Sequence, residues 1–172
     1  MSARVLVEGV SDKIALETLA ARLGRDLAAD GVEVVAMGGA TVIGRHLRAA
    51  DLEPDLHLVG LCDAGEVGAF RRAMARMELD FPVFVCDADL EDELIRALGP
   101  AAVEDVIADQ GELVSFRRFQ KQPAKREVPI GPQLRRFLGT HSGRKARYAR
   151  ALVEAIPLEL VPRPLLGVLD SV

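Results

Sequence analysis

Four short apolar runs, each ending at a glycine or an acidic residue and each followed by a helical pattern, constrain this chain more than any other feature. Residues 4–8, 32–37, 57–62 and 81–86 read as strands rich in Val, Leu and Ala. Ser11 or Asp12 offers an N-cap for a helix reaching about Leu23 and closed by Gly24. Gly38 and Gly39 form a turn before a helix over 41–50, and the helix over 66–77 places Val67, Phe70, Met74 and Met77 on one face. Leu90, Leu94, Ile95 and Leu98 mark a further amphipathic helix, ended by Gly99-Pro100, and another follows over 101–109. Strands this apolar, alternating with helices, require crossover connections and a mainly parallel four-stranded sheet covered by helices on both faces. The fold class is α/β.

Alternation stops after residue 112. Leu113, Phe116 and Phe119 suggest a short helix, Pro123, Pro129 and Pro132 interrupt the chain, and residues 133–138 and 143–155 look helical. We therefore expect an α/β core over 1–112 and a basic helical extension over 113–172 packed on it as one globular unit. A length of 172 residues suits one domain, and a hydrophobic fraction of 49% excludes an intrinsically disordered chain. Cys62 and Cys86 make no disulfide framework or zinc pattern, which points to a reducing, cytoplasmic setting. The first residues hold no apolar signal core, and the longest uncharged run, 34–44, falls short of the roughly 20 residues that span a bilayer, so no membrane role is expected.

In an open parallel sheet, ligands bind beyond the carboxyl ends of the strands, and here those ends are acidic. The first strand delivers Glu8 and Asp12, the third Asp63 and Glu66, and the fourth Asp87, Asp89 and Glu91. So many carboxylates on one edge repel unless divalent cations neutralise them. Oxygen ligands without nearby His or Cys favour Mg²⁺ or Mn²⁺, as one or two ions. Taken singly, each acid has a structural explanation: Asp12 serves equally as an N-cap, and Asp89, Glu91 and Asp92 as first-turn charges on a helix dipole. Three strands ending in acids is the stronger signal.

Other chemistries fit worse. The segment 39–46 has phosphate-loop glycine spacing, yet Arg45 and His46 stand where Lys and Ser/Thr are needed, and Gly38, Gly39 and Gly44 do not make a dinucleotide fingerprint. Ser11 lacks the nucleophile elbow. Cys62 and Cys86 read as buried strand-end residues, and His46, His57 and His141 are isolated from any nucleophile.

The run Leu6-Val7-Glu8-Gly9-Val10-Ser11-Asp12, the Gly38-Gly39 turn and Gly60-Leu61-Cys62-Asp63-Ala64-Gly65-Glu66 together resemble the TOPRIM domain of topoisomerases, primases and certain nucleases. With Asp89-Leu90-Glu91-Asp92-Glu93-Leu94 and Gly143-Arg144-Lys145-Ala146-Arg147-Tyr148-Ala149, the chain resembles the nuclease half of OLD-family ATP-dependent endonucleases over about residues 3–155. The resemblance implies a two-metal nuclease in which Glu8, Asp12, Asp63 and Glu91 are ligands and Lys145 offsets charge at the scissile phosphate. Gly65 replaces the second Asp of the family's DxD motif, so Glu66, Asp87 or Asp89 must supply the missing carboxylate, or one metal site is weak. The family's ATPase region has no counterpart here, which suggests a stand-alone TOPRIM chain with an ATPase or other protein partner in trans.

Charge along the chain fits a polyanionic substrate. The formal net charge is −4, but residues 1–114 carry 22 acidic and 10 basic groups, whereas residues 115–150 carry 1 and 11. Arg117, Arg118, Lys121, Lys125, Arg126, Arg135, Arg136, Arg144, Lys145, Arg147 and Arg150 are thus expected to meet a nucleic-acid backbone, DNA in preference to RNA. The same charges also suit a solvated surface or an acidic face of the same molecule. Tyr148 and Phe119 read as packing residues. The expected function is metal-dependent phosphodiester cleavage; the alternatives are a catalytically weak TOPRIM module binding metal and nucleic acid, and another phosphotransfer enzyme. Topoisomerase activity does not fit, for want of strand-passage domains and of a tyrosine beyond Tyr148.

Overall fold

A computed structural model describes residues 2–51, 53, 55–140 and 143–172, so that His141 lies outside the described residues. Four strands, β1 (Ala3–Val7), β2 (Val32–Ala36), β3 (His57–Asp63) and β4 (Val83–Cys86), form one parallel sheet in the order β2–β1–β3–β4. Helices α1 (Val10–Arg22), α2 (Ile43–Ala50) and α3 (Val67–Arg76) make the crossovers. They are followed by α4 (Leu90–Leu98), α5 (Pro100–Asp109), α6 (Leu113–Gln120), α7 (Ile130–Gly139), α8 (Arg144–Ala155) and α9 (Arg163–Asp170). The mainly parallel sheet with helices on both faces is the expected architecture.

Side-chain alternation along the strands sorts the core into two layers. Val5, Val7, Val59 and Leu61 face one layer, shared with Leu16, Leu19, Leu94, Phe116, Tyr148 and Leu165. Leu6, Leu58 and Cys62 face the other, closed by Leu47 of α2 and Phe70 of α3. The absence of a side chain at Gly60 admits Phe70, whose ring would lie 2.9 Å from a Cβ there. In the first layer α8 lies along α1, and Arg22 donates to the carbonyls of Val153 and Ile156 at 2.6 Å each, satisfying the free C-terminal end of α8.

Three local expectations are corrected. Gly9, not Ser11 or Asp12, is the N-cap of α1, with Asp12 in its first turn. Pro132 does not break the chain, because it falls in the first turn of α7, where a missing N–H costs no helical bond. Helix α9, not anticipated at all, seats on β4 by bringing Gly167 against Phe84, whose ring would lie 2.3 Å from a Cβ there.

Candidate functional site

The strand order reverses between β1 and β3: the chain leaves β1 for β2 on one side, and β3 for β4 on the other. Loops diverge at such a switch point and leave a crevice beyond the strand ends. A cleft of about 430 Å³ lies there, lined by Glu8, Asp12, Asp63, Glu91 and Lys145 among others.

Each side chain is held by a different element. Glu8 follows β1, and its carbonyl accepts from Gly38 N at 3.0 Å and Gly39 N at 3.1 Å, which ties the turn after β2 to the cleft. The turn requires positive φ, 80° and 120° at the two glycines. Asp12 accepts from Gly9 N at 2.8 Å through Oδ2. Asp63 ends β3, and the next residue, Ala64, continues the pairing by donating to the Cys86 carbonyl at 2.9 Å. Glu91, only 6% exposed in the first turn of α4, pairs with Lys145 Nζ of α8 at 3.2 Å.

Electrostatically the site is under strain. Burial, then the charges of Asp12 and Glu8, push the Asp63 carboxyl up to about 7. Burial, reinforced by Glu91 and Glu8, raises Asp12 to about 6, although its bond from Gly9 opposes this. Glu8 is raised by burial and by Glu66. Burial alone would lower Lys145, yet Glu91 beside it leaves the ammonium raised. Glu8 Oε2 and Glu91 Oε1 are buried without a hydrogen-bond partner. Two orphaned carboxylate oxygens in one crevice call for a positively charged occupant.

The donors fit a hard cation, since all are carboxylates. Among the described residues, however, no three Asp, Glu, His or Cys side chains converge tightly enough to hold an ion as they stand. Mg²⁺ needs no such cage, because it binds through one or two carboxylates and keeps several waters.

Of the other acids singled out in the sequence, Glu66 and Asp89 border the cleft closely enough for their charges to act on Glu8 and Asp63 respectively. Asp89 caps α4 by accepting from Asp92 N at 2.9 Å and pairs with Arg135 at 2.6 Å. Asp87 is turned away, with 83% of its side chain exposed and Arg96 as its partner at 3.4 Å. Gly65 is open: nothing lies within 4 Å of where a Cβ would be. Both cysteines are buried free thiols, and burial pushes Cys62 up to about 12, which leaves it unreactive.

The basic stretch divides into two sets. Arg117 pairs with Glu104, Arg135 with Asp89, and Arg147 with Glu112. Arg144 is corrected from a surface cation to an interior one: it is 8% exposed and donates to Glu112 at 2.9 Å and to the Phe137 carbonyl at 3.0 Å. Glu112 also accepts from Tyr148 at 2.8 Å, and these donors outweigh its burial and hold its carboxyl below the usual range. No local sequence pattern marks this hub, because its partners lie more than thirty residues downstream. The second set is outward: Arg118, Lys121, Arg126, Arg136 and Arg150 are exposed. Arg118, Lys125 and Arg136 line a cleft of about 590 Å³ between α6 and α7, which ends at Thr140 and Arg144, one residue before Lys145.

Residues 2–64 match the family model described as the Overcoming lysogenization defect protein-like TOPRIM domain. No curated protein matches the chain. Among solved structures, the C-terminal region of the Burkholderia pseudomallei OLD protein superposes with a TM-score of 0.69 at 18% identity, covering 98% of this chain and 94% of that one. The C-terminal region of the Xanthomonas campestris pv. campestris OLD protein, in a platinum-phased structure, gives 0.71 at 20%, covering 98% and 90%. At these identities the likeness is one of fold.

Proposed function

Because the chain carries a TOPRIM domain resembling that of OLD proteins, we propose that it cleaves nucleic-acid phosphodiesters, DNA in preference to RNA, with Mg²⁺ or Mn²⁺. The observation that carries this reading is the convergence of Glu8, Asp12, Asp63, Glu91 and Lys145 in one cleft at the reversal of strand order. Glu8 and Asp63 are the principal ligands, with Asp12 and Glu91 completing the acidic wall and Glu66 or Asp89 standing in for the carboxylate missing at Gly65. When bound, such cations polarise the attacking water and the scissile phosphate. Lys145, which lines the same cleft, would offset the charge that builds on the scissile phosphate. Arg118, Lys125 and Arg136 hold the backbone on the α6–α7 side, supplying affinity rather than sequence readout.

Gly65 favours a second reading, a catalytically weak module that binds metal and nucleic acid and works with an ATPase or another protein in trans. The two separate on supercoiled plasmid and single-stranded DNA or RNA incubated with Mg²⁺, Mn²⁺ or chelator. Metal-dependent nicking that Glu8→Ala and Asp63→Ala abolish supports the nuclease. Binding without cleavage supports the module, and cleavage indifferent to both substitutions defeats the assignment of the site. The buried free thiols accord with a reducing compartment, and no helix among the described residues is long and apolar enough to cross a membrane.

A further inference from the structure

Helices α2 and α3 lie side by side on the face of the sheet opposite α1, with a cleft of about 520 Å³ between them. Its floor is apolar, from Ile43, Ala69 and Ala73, and its rim is four exposed arginines, Arg45 and Arg48 on α2 and Arg72 and Arg76 on α3. Spacings of three and four residues keep each pair on one helix face. Unlike Arg117, Arg135, Arg144 and Arg147, none of these four has a carboxylate within ion-pair distance among the described residues. Four guanidinium groups around one hollow raise a positive potential there that favours an anion.

Two glycines shape the rim. The Arg72 guanidinium would sit 3.1 Å from a Cβ at Gly68, and that of Arg48 3.6 Å from one at Gly44. Missing side chains at these positions let both cations lie down along their helices. Both helices also start at the acidic site. The turn leading to α2 donates Gly38 N and Gly39 N to the Glu8 carbonyl, and Glu66 stands at the foot of α3. The arginine cleft therefore runs away from the carboxylates on the face opposite the α6–α7 cleft.

We propose that the α2–α3 cleft holds backbone phosphates of the nucleic-acid strand on the far side of the scissile bond, so that the substrate is gripped on both sides of the acidic site. The orientation rests on the nuclease reading of that site; the phosphate binding does not. Guanidinium groups suit phosphate because their planar forks donate two parallel bonds to its oxygens, and four of them around one cleft can meet more than one phosphate of the same strand.

The test uses the full chain in chelator, with binding of labelled single-stranded and duplex oligonucleotides read by fluorescence anisotropy over a salt series. The combined variant Arg45→Gln, Arg48→Gln, Arg72→Gln, Arg76→Gln is expected to weaken binding at least about tenfold and to flatten the slope of log K against log salt by about 3, since each phosphate contact contributes about 0.7 to 0.9. Arg163→Gln, at an exposed arginine of α9 that lines neither cleft, should retain binding. Unchanged affinity and slope in a combined variant that still melts cooperatively overturn the proposal, as does a wild-type chain that binds no oligonucleotide. A wild-type chain that binds with the expected slope but never cuts overturns the nuclease reading and leaves the cleft standing. Should the combined variant not fold, phenylglyoxal modification of the wild-type protein, read by mass spectrometry, decides the matter. Oligonucleotide is expected to shield Arg48 and Arg72; shielding by polyglutamate alone assigns the cleft to an acidic peptide and overturns the proposal.

Discussion

The acidic cleft and the basic extension carry opposite charge, and the structure treats the two in opposite ways. In the cleft, Glu8 and Glu91 each keep a buried oxygen without a partner, and burial, reinforced by neighbouring carboxylates, raises Asp12 to about 6 and Asp63 to about 7. In the extension, Arg117, Arg135, Arg144 and Arg147 are each satisfied by a carboxylate. Crowded like charges with orphaned oxygens mark a candidate ligand site, whereas paired charges mostly build the fold. A tally of basic residues along the chain therefore overstates the ligand-facing surface of the extension, and the unpaired cations, Arg118, Lys125 and Arg136 beside the four of α2 and α3, are the informative ones.

Substitutions on the two sides should fail in different ways. The largest effect is expected for Asp63→Ala or Glu8→Ala, which should lower metal-dependent cleavage by on the order of 10³-fold while the thermal midpoint holds or rises, because crowding is relieved. Equal losses of cleavage and stability would erase the contrast. Glu112→Ala is the mirror image: by stranding buried Arg144 it should cost about 3 kcal/mol in urea unfolding, with Glu112→Gln losing visibly less. A stability change within error would show that the extension's pairs are ornamental. Lys145→Ala should slow cleavage about 10²-fold under single-turnover conditions and weaken oligonucleotide binding far less. Gly65→Asp enters open space at a backbone that needs no positive φ; it should tighten Mn²⁺ binding about tenfold, or ~1.4 kcal/mol by calorimetry.

The smallest effect is in pH. Folding raises Asp63 from 3.8 to about 7 and Asp12 from 3.8 to about 6. Each therefore adds stability that is complete below its unfolded value and lost as pH rises through its folded one. The metal-free thermal midpoint should fall between about pH 4 and 7, and saturating Mg²⁺ should flatten that slope; a midpoint that instead rises over this window contradicts the raised carboxyls.

Glu8 and Asp63 were legible in the sequence because a strand end is a position that topology fixes: parallel strands bring their carboxyl ends to one edge whatever the register. Helix faces were legible for the same kind of reason, as with Phe70 and Met74 of α3. What was not legible depends on contacts that no local pattern announces. Arg144 looks like its exposed neighbours until Glu112 and Phe137 are placed beside it. Asp87 sits in as acidic a stretch as Asp89, but the first turn of α4 directs one outward to Arg96 and the other toward Arg135. Helix α9 spans eight residues and seats through Leu165, Val168 and Leu169 and the approach of Gly167 to Phe84, contacts that no local pattern marks.

The pair between Lys145 and Glu91 has a further consequence for assembly. An ammonium group lodged beside the buried Glu91 carboxylate acts as a built-in monovalent counterion, so that this charge is answered within the fold itself. On the proposed metal-binding reading, loading is an exchange of one cation for another rather than a step of folding. A chelator should silence such a protein without unravelling it, and its response to free Mg²⁺ should depend on how readily one lysine lets go.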